Sequence, residues 1–270
     1  MNRSAASGND DGSSEKKLQV ERYLHIHNLL KQKNTVLIGE LSRTLHVSTN
    51  TIRRDLSSLE KQGLLKRTHG GAIFAESYLQ SKPYEIRSRE GMSEKEKIGR
   101  LAASLVRDGS TVIIDAGTTT RQLALYLRSA GSLTVLTNSL EIAEILSENA
   151  NIIVILSGGI LQVSSRHLIG MPAEQFFSQM RVDQLFTSAN AISLEHGLLS
   201  SNLHIIPIKK KMLEAAREVV LIADSSKFDK TGIGRIAPLT AAHKLITDSR
   251  LESQTASAIR AMGIEVLIAD

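Results

Sequence analysis

From Ser93 to Asp270 the chain keeps switching between two periodicities, and this alternation restricts its fold more than any other feature. Short apolar runs at Thr111–Ala116, Leu133–Thr137, Ile152–Leu156, Gln184–Thr187, Val219–Ala223, Lys244–Thr247 and Glu265–Ala269 read as strands. Between them, stretches near Glu94–Val106, Thr118–Arg128, Leu140–Ser147, Pro172–Met180, Pro207–Ala216 and Arg250–Met262 carry apolar residues at helical spacing. Strands rich in Val, Ile and Leu throughout are buried on both faces, and intervening helices join such strands in parallel. The expected fold over 93–270 is therefore an α/β domain with a parallel sheet.

Sheets of this kind bind ligands beyond the carboxyl ends of their strands. Polar clusters fall at those ends: Asp115-Ala-Gly117-Thr118-Thr119-Thr120, Thr137-Asn138-Ser139, Ser157-Gly158-Gly159 and Asp224-Ser-Ser-Lys227. In the first, an apolar run passes through a glycine and three hydroxyl residues into a helix, where unpaired backbone N–H groups and the positive end of the helix dipole attract anions. The glycines would let backbone N–H groups approach a phosphate, the threonines and Ser139 would donate hydroxyl hydrogen bonds, and Lys227 would add a point charge. Asp115 suits sugar hydroxyls or the bracing of its own loop. Any one cluster reads equally well as a turn and helix cap, so the expectation of a phosphate-binding site rests on their shared rim.

Composition excludes several alternatives. The chain has no cysteine, so disulfides, thiolate zinc sites and a cysteine nucleophile are ruled out. The nearest histidines, His25 and His27, are two apart on an expected helix and do not face each other, so no metal or other cofactor is expected. No apolar run approaches the roughly 20 residues of a membrane span, and the polar N-terminus lacks the apolar centre of a secretory signal. The expectation is a cytoplasmic protein with a disordered tail over 1–17.

Charge is distributed unevenly. Residues 1–15 carry −2, residues 16–70 carry +7 from eleven Lys/Arg against four acids, and residues 71–270 balance. A basic excess confined to one small segment is the footprint of a module that meets a polyanion. Within it, Leu18, Tyr23, Ile26, Leu29 and Leu30 mark one helix. Val36, Ile38, Leu41 and Leu45 mark a second, His46-Val47 a turn, and Ser48 the cap of a third helix that ends at Gln62-Gly63. On this third helix Ile52, Leu56 and Leu59 share an inward stripe, while Asn50, Arg53, Arg54 and Ser57 point outward beside Ser48, Thr49 and Thr51 at its start. Asn can pair with adenine, Arg with guanine or phosphate, and short hydroxyl residues allow close approach to the backbone. The following Leu64–Phe74 reads as a two-stranded wing carrying Lys66, Arg67 and His69. The expected partner is double-stranded DNA, and because one such module alone binds DNA weakly, a dimer or higher homo-oligomer is expected as well.

Residues 40–72 (ELSRTLHVSTNTIRRDLSSLEKQGLLKRTHGGA), DAGTTT at 115–120, LTVLTNSLEIA at 133–143, LSGG at 156–159 and ADSSKF at 223–228 resemble, in order along the chain, the DeoR family of bacterial transcriptional regulators. The resemblance implies a winged helix-turn-helix over 18–74, a linker over 75–92 and a sensor domain over 93–270 related to ribose-5-phosphate isomerase and glucosamine-6-phosphate deaminase. It also implies a phosphorylated sugar as effector and, in most members, repression of a carbohydrate operon. The chain departs from the family pattern at Ser188–Ala191, where a turn of the form Gly-Ala-x-Gly-Ile is usual. It departs again at His204–Lys211, where an acidic residue usually precedes the basic helix. The competing reading is a sugar-phosphate isomerase or deaminase with a basic appendage, but Phe186–Ser193 offers no carboxylate to act as base, and no catalytic residue is assigned.

Overall fold

In a computed structural model the chain forms two compact units, residues 1–80 and 81–270. The structure describes residues 22–23, 25–26, 28–30, 33, 35–61, 65–74, 84–163, 165–228, 230 and 232–270. The expected tail and the helix stop at Gln62-Gly63 lie outside them.

In the first unit the described residues from 22 to 33 are helical. Strand β1 (Thr35–Leu37), helices α1 (Ile38–Thr44) and α2 (Thr49–Lys61), and strands β2 (Leu65–Arg67) and β3 (Gly71–Phe74) follow. Ile26, Leu30, Leu41, Ile52, Leu56, Leu59 and Leu65 close one small core. His46 turns the chain between α1 and α2 in the left-handed conformation, φ 52°, and the Ser42 hydroxyl holds that turn by donating to the Val47 carbonyl at 2.6 Å. Buried Asp55 accepts both bonds of an Arg22 fork, at 2.8 and 3.1 Å, which ties α2 to the first helical segment.

Val36 belongs to a strand, not to the second helix, and the wing is three-stranded, in the order β1-β3-β2. Val36 pairs with Ala72 of β3, a partner that local spacing does not reveal. The pairing is close: a Cβ on Gly71 would sit 1.9 Å from the Val36 carbonyl oxygen.

The second unit is built on a seven-stranded sheet in the order β15-β14-β12-β9-β4-β5-β6. Its strands are β4 (Thr111–Ile114), β5 (Leu133–Thr137), β6 (Ile152–Leu156), β9 (Val182–Thr187), β12 (Ala216–Ile222), β14 (Lys244–Asp248) and β15 (Glu265–Ala269), and every pairing is parallel. Alternate strand residues feed two cores. Val112, Ile114, Val135, Val220 and Ile246 pack under α4 (Met92–Ala103), α5 (Thr118–Leu127) and α6 (Leu140–Ser147). Ile113, Leu136, Leu185, Leu221 and Leu245 pack under α7 (Met171–Ser178), α8 (Ile206–Ala215) and α9 (Ser253–Ala261). No helix among the described residues is long and apolar enough to cross a membrane.

Several expectations about this unit change. Residues 84–92 are not linker: α3 (Tyr84–Arg89) lies in the second unit and α4 begins at Met92. The buried Tyr84 hydroxyl donates to Glu141, and buried Lys95 donates to the carbonyls of Arg87 and Glu90 at the C-terminal end of α3. Ala216 opens β12 rather than closing a helix, because it pairs with Val182 of an equally extended β9. Arg250 lies outside α9; its backbone N–H and guanidinium both donate to Asp248 at 3.1 Å, holding it in the preceding turn. Two small antiparallel sheets were not foreseen: a hairpin of β7 (Ile160–Gln162) with β8 (His167–Ile169), and the trio β10 (Ala191–Ser193), β11 (Gly197–Ser200) and β13 (Gly234–Ala237). Most of these strands have three residues, too few for a period of two to show.

Candidate functional site

On α2, Ile52, Leu56 and Leu59 are buried, while Asn50, Arg53 and Arg54 are exposed and Ser57 and Thr51 are half-buried. Ser48 caps the helix: its Oγ accepts from the Thr51 N–H at 3.1 Å. Thr49 is exposed beside it. Arg53 donates to the Asn50 Oδ1 at 3.1 Å, and neither the Asn50 NH2 nor the Arg54 side chain bonds to a described residue. In the wing, Lys66 and Arg67 lie on β2 and His69 in the turn that follows, with Arg67 and His69 exposed. The Arg67 N–H donates to Glu60 on α2 at 2.8 Å and docks the wing against the helix.

In the second unit the carboxyl ends of β4, β9 and β12 border a cleft with no carboxylate in its lining. Gly117, Thr118 and Thr119 form its floor at the start of α5, where no side chain caps the helix. The first N–H groups of α5 are therefore open to an anion. Lys227 enters from the turn after β12 and Arg87 from α3. Lys227 has 14% side-chain exposure and lies 3.7 Å from Asp224. Burial pulls its ammonium down to about 8; Asp224 opposes the shift, and Lys230, Lys95 and Arg87 reinforce it. Cations crowded in this way gain from a bound anion.

The other residues expected at the site are occupied with holding it together. Asp115 is fully buried and accepts from Thr187 Oγ1 at 2.6 Å and from the Lys209 ammonium, which also donates to the Ser188 carbonyl at 2.7 Å. Thr120 donates to the Gly117 carbonyl at 3.0 Å and Thr137 to the Ile114 carbonyl at 2.6 Å. Asn138 accepts from the Ala116 N–H at 3.1 Å, and Ser139 caps α6 through the Ile142 N–H at 3.3 Å. Gly158 and Gly159 turn the chain at φ 68° and 114° toward β7, and a Cβ on Gly159 would meet the Ile169 carbonyl oxygen at 2.6 Å. None of these seven residues lines the cleft.

Sequence reasoning missed Arg87, His167, Asn190, Asn202 and Lys209, all of which line the cleft. Lys209 had a signal, since a lysine beneath Asp115 is the obvious counter-charge, but the distance of 94 residues conceals the pairing. Ser188, Ala189 and Asn190, one of the two departures from the family pattern, form part of the cleft wall.

The family models described as "DeoR-like helix-turn-helix domain" and "DeoR C terminal sensor domain" match residues 22–78 and 90–249. The chain is 36% identical to the HTH-type transcriptional repressor GlcR of Bacillus subtilis, over 93% of this chain and 97% of that protein. It is 31% identical to a putative aga operon transcriptional repressor of Escherichia coli O157:H7, over 96% and 98%, and 35% identical to the HTH-type transcriptional regulator GolR of Listeria innocua, over 93% and 98%. Among solved structures, a ribose 5-phosphate isomerase A from Methanocaldococcus jannaschii aligns over 52% of this chain and 55% of its own at 18% identity, with a TM-score of 0.38. With both domains matched and full-length relatives that are regulators rather than enzymes, the chain belongs to the DeoR family of DNA-binding transcriptional regulators.

Proposed function

We propose that this chain represses a carbohydrate-utilisation operon in the cytoplasm, and that a phosphorylated sugar in the cleft changes its hold on operator DNA. The observation that carries this reading is the meeting of Lys227, Arg87 and the uncapped start of α5 in one carboxylate-free cleft. An uncapped helix start with two cations beside it suits a phosphate. The repressor names of the relatives support the direction of control. The exposed set Asn50, Arg53 and Arg54, with Ser48, Thr49, Thr51 and Ser57 at their flank and Lys66, Arg67 and His69 in the wing, is assigned to the DNA. A homo-oligomer presenting paired recognition helices completes the reading, because two half-sites supply affinity that one does not. Gly117, Thr118, Thr119 and Lys227 contact the phosphate, whereas Asp115, Thr120, Thr137, Asn138, Ser139, Gly158 and Gly159 shape the site around it.

The test uses the full-length protein. Genomic fragments that it retains are sequenced, and sugar phosphates and their unphosphorylated counterparts are tried for release. A phosphorylated sugar is expected to release the operator and its parent sugar to fail. Lys227→Ala should abolish release while leaving operator affinity intact. Lys227 binds the anion in its protonated form, so release should be strongest well below about pH 8 and should weaken as pH rises through that value. Release by phosphorylated and unphosphorylated sugars alike, or a Lys227→Ala protein that still responds, would remove the phosphate from the account.

A further inference from the structure

His167 opens β8, and its backbone is fixed to the loop after β5: it forms a β-bridge with Ser139, and the neighbouring Leu168 N–H donates to the Asn138 carbonyl at 2.8 Å. The residue is 5% exposed and lines the cleft. Its ring makes no hydrogen bond to any described residue, and Nδ1 is buried with no partner. Buried polar groups are rarely left so, because the loss of hydration is then uncompensated. An apolar side chain of similar size would fill the space without that cost, so packing alone does not account for an imidazole here. Asp115 supplies the second orphan: its Oδ1 is buried and unpartnered, and of all the charges around His167 its carboxylate acts most strongly on the ring.

We propose that His167 contacts the ligand itself and reads one of its uncharged hydroxyl groups, which makes it a specificity residue of the cleft; this rests on the phosphorylated-sugar reading above. Burial lowers the imidazole to about 4, with Asp115 opposing and Lys209 and Arg87 assisting, so the ring is neutral near pH 7 and offers one donor and one acceptor. A hydroxyl group, itself donor and acceptor, satisfies such a ring. A phosphate oxygen gains more from Lys227 and Arg87 than from a neutral imidazole. The ligand therefore has an orientation: phosphate toward Lys227, Arg87 and the start of α5, and sugar hydroxyls toward His167. Asn190 also lines the cleft. Its Oδ1 accepts from Ser200 at 3.1 Å while its NH2 bonds to no described residue.

The experiment is calorimetric titration of the full-length protein with inorganic phosphate, ribose 5-phosphate, fructose 6-phosphate, glucose 6-phosphate and galactosamine 6-phosphate. The tightest sugar phosphate is then titrated into His167→Phe and His167→Asn. The Phe variant is expected to bind that sugar phosphate about tenfold more weakly, the size of one lost ligand hydrogen bond, and to keep its affinity for inorganic phosphate within about twofold. Asn, with a donor and an acceptor of its own, should recover part of the loss, and it decides the matter alone if the Phe variant does not fold. Sugar-phosphate affinity unchanged in both variants overturns the proposal and leaves the phosphorylated-sugar reading standing. Parallel loss toward phosphate and sugar phosphate also overturns it, since His167 would then only shape the site. A wild-type protein that binds no sugar phosphate of the panel overturns both.

Discussion

Asn50, Arg53 and Arg54 stand exposed on one face of α2, whereas Lys209 and His167 are buried at the cleft and Lys227 nearly so. Both surfaces are polar, yet they are built differently. The exposed charges of α2 remain hydrated, cost the fold little, and are free to exchange water for phosphate and base edges. A buried charge is tolerated only beside a partner, and each buried group at the cleft has been given one or is still short of one. Lys209 has Asp115, Lys227 has Asp224, and His167 has none among the described residues. Substitutions on α2 should therefore separate DNA binding from stability, and substitutions at the cleft should couple ligand binding to stability.

The largest effect tests the cleft side of that contrast. Lys209→Met removes the counter-charge of a carboxylate with no exposed surface and should destabilise the protein by about 3–5 kcal/mol in chemical denaturation. The double variant Asp115→Asn/Lys209→Met removes both charges and should regain much of the loss. A Lys209→Met protein as stable as wild type would show that the pair is not buried as described and would end the contrast.

On the DNA side the effect is smaller and falls on a different quantity. Arg54→Ala should weaken the specific operator complex by about 1–3 kcal/mol and change unfolding free energy by less than about 0.5 kcal/mol. Electrophoretic titration of the operator and a denaturant midpoint suffice. A loss of stability matching the loss of binding would place Arg54 in the fold rather than on the DNA.

The same difference decided what could be read in advance. The inward stripe Ile52, Leu56, Leu59 and its outward counterpart lie within one helix, where local periodicity fixes their directions. Val36 shows the limit: its spacing to Leu41 and Leu45 suggests a helix, but it lies in a strand that pairs it with Ala72, 36 residues away. For the second unit, the alternation of apolar runs indicated the parallel strands and the strand-end loop at Gly117. It could not indicate which polar residues of those loops line the cleft, because Thr137, Asn138 and Ser139 are used up in bonds to Ile114, Ala116 and Ile142. Arg87 and His167 reach the cleft from a short helix and a three-residue strand, elements too brief to leave a period in the sequence. Sites assembled from several loops are legible in composition, and their membership is settled by hydrogen bonds formed across tens of residues.

The smallest effect examines a residue that belongs to both sides of the contrast. Ser48 is exposed and is assigned to the DNA, yet its Oγ also caps α2 through the Thr51 N–H at 3.1 Å and hydrogen-bonds the Thr51 hydroxyl at 2.9 Å. Ser48→Ala removes cap and contact together and should cost about 1 kcal/mol of stability, so any weakening of DNA binding in that variant is ambiguous. Ser48→Asp separates the roles. Aspartate caps as well as serine does and favours the positive end of the helix dipole, so stability should stay within about 0.5 kcal/mol of wild type. Its carboxylate would face the phosphates that the hydroxyl is proposed to approach, and operator affinity should fall, more at low salt than at high salt because added ions screen the repulsion. An aspartate variant that keeps both its stability and its operator affinity at low salt would show that the start of α2 stands away from the phosphate backbone, leaving the reading of DNA to Asn50, Arg53 and Arg54.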